Sequence, residues 1–171
     1  IVLLMSSTLA GCIGLVPARE FLETRRDSVE TVTVYDRVAF AHTFTNLVET
    51  YSNSSSFYVD ESVTQIDVYF KASFVASDSV GCLDAGGTLR YVQATLTDSE
   101  GGVLWSTDVC EDANPPEESY FAQPEFAGGE WVLTVEAQGG GERFLNQFQD
   151  NFNIVVTIHR NCMKYPLEDS C

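Results

Sequence analysis

From residue 31 onward the apolar side chains recur at every second position. Between Thr31 and Val48 the even positions are Val32, Val34, Val38, Phe40, Phe44 and Val48, while the odd ones are mostly Thr, Ala and Arg. A period of two sends successive side chains to opposite faces of an extended chain, so this stretch is expected to form one half-buried strand or two strands in phase. The segment Val63–Val75 repeats the pattern, with Ile66, Val68, Phe70, Ala72 and Phe74 on one face and Gln65, Asp67, Lys71 and Ser73 on the other. Leu89–Thr97 turns Val92, Ala94 and Leu96 one way, Asp98-Ser99-Glu100-Gly101-Gly102 supplies turn residues, and Val103-Leu104-Trp105-Ser106 returns, which predicts a β-hairpin. After an acidic, Pro-containing loop over Glu111–Ser119 comes a short Tyr120-Phe121 segment. Trp131, Leu133, Val135 and Ala137 then alternate with Glu130, Thr134 and Glu136 until Gly139-Gly140-Gly141, and Phe152, Ile154, Val156 and Ile158 mark a last strand. About eight strands, irregular turns and no long helical period predict an all-β fold, an antiparallel β-sandwich of jelly-roll type, over residues 29–161.

The length of 171 residues with 44% apolar side chains suffices for one sizeable core and not for two. Ahead of the strands, Ile1–Val16 is apolar or small throughout and carries no charge. A bilayer span needs about 20 apolar residues, whereas a signal peptide needs a core of roughly 7–15 ending in small residues. With neither an initiator Met nor a basic lead-in, residues 1–11 are expected to be a truncated signal peptide. Leu9-Ala10-Gly11-Cys12 resembles the lipobox of prokaryotic lipoproteins. That resemblance implies cleavage before Cys12, a diacylglycerol on its thiol, and a membrane as partner through the lipid. The alternative is a buried N-terminal strand or helix in which Cys12 is a small hydrophobe. Residues 12–28, including Pro17 and AREFLETRRDS, are expected to be a lipidated tether.

Removing Cys12 leaves Cys82, Cys110, Cys162 and Cys171, an even set in a chain expected in an oxidising, extracytoplasmic space. Of the three pairings, Cys82–Cys110 with Cys162–Cys171 is expected. The second would close a C-terminal tail over 162–171, and the first would contribute roughly 3–4 kcal/mol in the chain-entropy model. None of these cysteines has zinc-site spacing.

Nine basic against 25 acidic side chains leave a net charge of −16. Nucleic acid is thereby excluded as a partner, because affinity for phosphates comes from Lys and Arg, and an anionic membrane surface would repel the chain. Carboxylates spread along most of the chain, with little Lys, point to a salt-adapted, archaeal host.

The order of features in the body resembles the pre-peptidase C-terminal domains and the related Golgi-dynamics-type sandwiches. The likeness rests on Ser56-Phe57-Tyr58-Val59, Val63-Thr64-Gln65-Ile66-Asp67-Val68, Ala94-Thr95-Leu96-Thr97-Asp98-Ser99-Glu100-Gly101 and Phe126 through Val135, and covers roughly Phe57–Ile158. It implies an accessory, secreted, non-catalytic binding module. The cysteine pairs and the long acidic loop depart from that pattern.

Catalytic chemistry has few carriers here. His42 and His159 are the two imidazoles, both inside strand patterns, the first at an inward position and the second pointing opposite to Ile158. No nucleophile elbow, metalloprotease helix, P-loop or dinucleotide fingerprint occurs, and no enzyme is expected. Paired carboxylates such as Glu117-Glu118 or Glu20 with Glu23 follow from acidity alone. A Ca²⁺ site would need six to eight oxygens, which Asp98 and Glu100, or Asp108, Glu111 and Asp112, could supply from turns, although such loops are commonly just solvated. Tyr35, Tyr51, Tyr58, Tyr69, Tyr91, Tyr120 and Trp105 offer stacking surface for sugars. Asn53-Ser54-Ser55 is a glycosylation sequon expected in a polar loop. These readings converge on a non-enzymatic, lipid-anchored surface module, binding or structural. The alternatives are a carbohydrate-binding module stabilised by calcium, with polysaccharide as partner, and an adhesion or assembly subunit that meets a surface protein.

Overall fold

The computed structural model describes residues 21, 28–75, 90–142 and 149–165. The lipobox at Leu9–Cys12, nearly all of the expected tether, Cys82 and Cys171 lie outside these. The chain divides into two compact units, Thr33–Asn161 and Ile1–Val32 with Cys162–Cys171. In the second unit, the described residues are Phe21 and the outer ends of two strands with their flanks, and Phe21, Val29, Met163 and Tyr165 are exposed.

The described residues form eight strands: β1 (Glu30–Thr43), β2 (Glu49–Val59), β3 (Val63–Ser73), β4 (Tyr91–Thr97), β5 (Val103–Val109), β6 (Glu118–Phe121), β7 (Gly129–Gly139) and β8 (Asn151–Lys164). They make two four-stranded sheets, β1-β8-β3-β6 and β2-β7-β4-β5. Among consecutive strands only β4 and β5 share a sheet, and every other connection crosses between the layers. That wrapping is an antiparallel sandwich of jelly-roll type, the fold expected from the alternation.

The four central strands explain why their alternation reads so cleanly. Ile66, Val68, Phe70 and Ala72 of β3 and Phe152, Ile154, Val156 and Ile158 of β8 are buried. The same holds for Val92, Ala94 and Leu96 of β4 and Trp131, Leu133, Val135 and Ala137 of β7. These side chains form one continuous core, each large one contributing roughly 1.5–3 kcal/mol relative to exposure. The β4–β5 turn follows its residues too. Gly101 adopts a left-handed φ of 86°, which costs glycine nothing, and Asp98 Oδ1 accepts the Glu100 amide at 2.8 Å and the Gly102 amide at 2.7 Å.

Edge strands depart from the expected picture. β1 is a single strand that ends at Thr43, so Val48 sits in the connection to β2 and is exposed instead of continuing the inward row. Asn53-Ser54-Ser55 lies in the middle of β2 and not in a loop, in register with Val135, Thr134 and Leu133 of β7. The last strand runs on past Cys162 to Lys164.

Candidate functional site

The carboxylates expected to hold Ca²⁺ are employed locally or stand apart. Asp98 closes its own turn, Asp108 Oδ2 accepts the Gln93 amide at 3.1 Å, and Asp112 Oδ1 accepts the Phe74 backbone amide at 2.5 Å. Glu100 and Glu111 are exposed. No three His, Cys, Asp or Glu side chains among the described residues are arranged to hold a metal ion. Asn53 is exposed on β2, its amide 3.3 Å from the Tyr51 hydroxyl. Cys110 lies just past β5 and Cys162 on β8.

Each imidazole is held by a carboxylate. His42 Nε2 lies 3.1 Å from Glu49 Oε1, with the ring against Phe44 and Tyr51 at centroid distances of 4.8 and 4.9 Å. Glu49 Oε2 accepts the Thr45 amide at 2.9 Å and the Asn46 side-chain amide at 3.0 Å. The Thr45 amide does most to hold the Glu49 carboxyl below its ordinary range, against a smaller opposing effect of burial. His159 Nε2 lies 2.6 Å from Asp67 Oδ2, and the Tyr35 ring meets the imidazole edge-on at 4.8 Å. Asp67 Oδ1 accepts the Gln65 amide at 2.6 Å. Burial pushes the Asp67 carboxyl up, but hydrogen bonds from Gln65, Ser119 and His159, with the charge of His159, leave it below the ordinary value. This row crosses β1, β8, β3 and β6 on the outer face of their sheet.

The most deeply buried charge among the described residues is one that no sequence pattern marks. Asp150 is 1% exposed; its Oδ1 accepts the Val75 amide at 2.9 Å, and its Oδ2 accepts the Gly140 amide at 2.8 Å and faces Arg90 Nε at 3.3 Å. Both terminal nitrogens of Arg90 donate to the Val75 carbonyl at 2.9 Å, and its guanidinium carbon lies 5.5 Å from the centroid of the Phe74 ring. The partners of Asp150 are the Val75 and Gly140 amides and the Arg90 side chain, two of them 60 or more residues away along the chain, which no local pattern announces.

Of the aromatic side chains, Trp105 is buried and offers no open platform. Its Nε1 donates to Glu118 Oε1 at 3.3 Å, while the Tyr120 hydroxyl donates to Glu118 Oε2 at 2.6 Å. Burial first, and then the bond to Glu118 and its negative charge, push the Tyr120 phenol up to about 12. Tyr35 and Tyr58 are exposed, at 60% and 62%, and so are Phe21, Phe121 and Tyr165.

Tyr58 stands at the mouth of a cleft of about 540 Å³ between the β2–β3 turn and the segment over 122–128, a volume in the range of small-ligand sites. The cleft is floored by Val59, Val63 and Ala122, walled by Phe126, and rimmed by Asp60, Glu61 and Glu125. Phe126 is fixed edge-on against Trp131 at 5.6 Å, and Trp131 Nε1 donates to the Ala127 carbonyl at 2.8 Å. The opposite rim is tied down as well. Asp60 Oδ1 accepts the Ser62 amide at 2.9 Å and the Ser62 hydroxyl at 2.5 Å. Arg160 reaches Asp60 Oδ1 at 3.3 Å, Asp36 Oδ2 at 2.7 Å, and the Tyr58 carbonyl. The Ser62 hydroxyl and amide, ahead of a small opposing burial effect and the charge of Arg160, hold the Asp60 carboxyl below its ordinary range. Glu61 and Glu125 have no hydrogen-bond or ion-pair partner among the described residues.

No protein-family model and no curated protein matches the sequence. Among solved structures, a chain from Bacillus endospore appendages, described as a family of disulfide-linked pili, is similar at 10% identity and a TM-score of 0.31, covering 77% of this chain and 89% of that one. Chains of infectious bursal disease virus are similar at 10% identity and a TM-score of 0.28 for the Gx strain and 12% and 0.27 for the Gt strain. The likeness covers 82% and 80% of this chain but only 34% and 36% of the viral ones. At these scores none of the three bears on function.

Proposed function

We propose that this chain is a non-enzymatic, lipid-anchored module of a prokaryotic cell surface, presenting its jelly roll outside the cytoplasm as a binding or structural surface. The observation that carries the reading is the division of labour among the polar side chains. His42 and His159 are each bound to a carboxylate and cross-link strands, whereas the open cleft is lined by aromatic, aliphatic and acidic groups suited to contact. The signal peptide and the Cys12 lipid rest on the lipobox pattern. The pairing Cys82–Cys110 with Cys162–Cys171 is favoured by cysteine parity.

Expression of the full gene with its native N-terminus, followed by intact mass before and after reduction, tests this. A mature species that starts at Cys12, carries a diacylglycerol and gains four thiols on reduction is expected. An unprocessed chain with five free thiols overturns the reading. The assembly alternative draws on Leu47 and Val48, which stand 88% and 62% exposed on the β1–β2 connection. It predicts a mass in size-exclusion light scattering that rises with concentration, and a constant monomer counts against it.

A further inference from the structure

We infer that the cleft beside Tyr58 is a binding site for an uncharged polysaccharide, with the exposed Tyr58 ring as its stacking platform. The inference rests on the reading of the chain as a surface binding module and specifies its ligand. Sugars present flat apolar faces edged by hydroxyls, so a site for them combines an aromatic ring with acceptors at its margin and an apolar base. Each element is present: the open ring of Tyr58, the aliphatic floor of Val59 and Val63, and the carboxylates of Glu61 and Glu125, which have no partner among the described residues.

The site is preorganised. Arg160 holds the Tyr58 carbonyl and Asp60 together, and Ser62 closes the turn, so the rim is fixed before any ligand arrives. Holding a rim in its bound geometry removes part of the ordering cost of association.

Charge narrows the choice. The rim carries Asp60, Glu61 and Glu125 and no basic side chain lines the cleft, so a uronate or sulfated chain meets like charge. A metal ion or compact cation would need carboxylates that converge on a point, and these flank an apolar floor, with no metal-holding group of three among the described residues. With anions and compact cations set aside, the exposed ring and apolar floor favour a neutral chain over an extended cationic one, its hydroxyls donating to carboxylates and its apolar face meeting Tyr58. The two tryptophans, Trp105 and Trp131, are unavailable for this because they are buried.

Affinity gel electrophoresis of the full-length protein separates the outcomes. The gels contain a β-1,3-glucan, a β-1,4-glucan, a mannan, starch or alginate, with oligolysine as a soluble competitor. Retardation is expected in at least one neutral gel and not in alginate. Tyr58→Ala is expected to weaken it about tenfold, with unchanged thermal unfolding, while Tyr35→Ala, equally exposed but outside the cleft, leaves it intact. No retardation in any neutral gel overturns the inference, as does binding unaffected by Tyr58→Ala. Retardation abolished by stoichiometric oligolysine also overturns it, because the cleft is then a site for cationic chains. A Tyr58→Phe variant, which keeps the ring, is expected to retain binding and guards against a folding defect in the alanine variant. The surface-module reading stands or falls separately, on the mass of the mature chain.

Discussion

Asp150 and Asp60 use the same chemistry in opposite surroundings. Each carboxylate holds neighbouring segments in place, Asp150 with two backbone amides and Arg90, Asp60 with the Ser62 amide and hydroxyl and Arg160. Asp150 does so with a side chain 2% exposed, at the end of the sandwich where β3, β7 and the approach to β4 meet. Asp60 does so with a side chain 50% exposed, at the other end of β2, on the lip of the cleft. In a low-dielectric interior an unpaired charge or amide is expensive, whereas at the surface water replaces a lost partner. One end of the fold is therefore fastened by a group that the molecule cannot lose, and the other is shaped by one that it can.

Substituting the buried member is the largest test. Asp150→Ala strands two backbone amides and Arg90, and is expected to cost about 3–5 kcal/mol in denaturant unfolding. A loss below about 1 kcal/mol would erase the contrast.

Asp67 lies between the two extremes. Asp67→Asn is expected to cost about 2 kcal/mol near neutral pH, since the bonds from Gln65, Ser119 and His159 lose their charge-assisted character. The folded carboxyl titrates below its unfolded counterpart. Its contribution is therefore complete above the unfolded value near 3.9 and disappears as pH falls through the lower folded value. Unfolding free energy measured from pH 6 down to pH 2 should consequently fall less steeply in the variant than in the parent. An unchanged slope would remove Asp67 from the acid response.

Glu118→Gln reads out the neighbouring edge of the same sheet. Tyr120, held at about 12 by burial and by Glu118, should titrate closer to an ordinary phenol, followed by its ultraviolet absorbance in alkali. It should stay above the ordinary value, because burial persists. The smallest effect belongs to Asp60→Ala, expected to change stability by less than about 1 kcal/mol while loosening the turn that frames the cleft. A loss as large as that of Asp150 would show the rim to be part of the foundation.

The sequence announces the layers of this fold more readily than its joints. β3, β4, β7 and β8 each have a neighbour on both sides and one face in the core, so their apolar residues alternate without interruption. β2 has one such neighbour and is largely exposed along Ser52, Asn53 and Ser54, and a strand that buries little writes no alternation. Asp67 occupies an outward position, as its pattern implies, yet is nearly buried because His159 and Ser119 close over it from the adjacent strands. Such closure depends on register between β8, β3 and β6, which local composition does not encode. The cleft combines Tyr58 with Phe126, residues far apart along the chain that meet only once β2 and β7 are paired. The acidic turns read as sites because carboxylates cluster there, but Asp98 accepts amides of its own turn and Asp112 accepts the amide of Phe74, remote in sequence.

The placement of β1 against β8 carries a consequence in time. The first strand of the fold pairs with the last, and β3 waits between β8 and β6, so one whole sheet stays open until its final segment has emerged. Folds dominated by such remote pairings are slow to form. A chain shortened before Asn151 would accordingly lose the strand that joins β1 to β3 and leave that sheet without its middle.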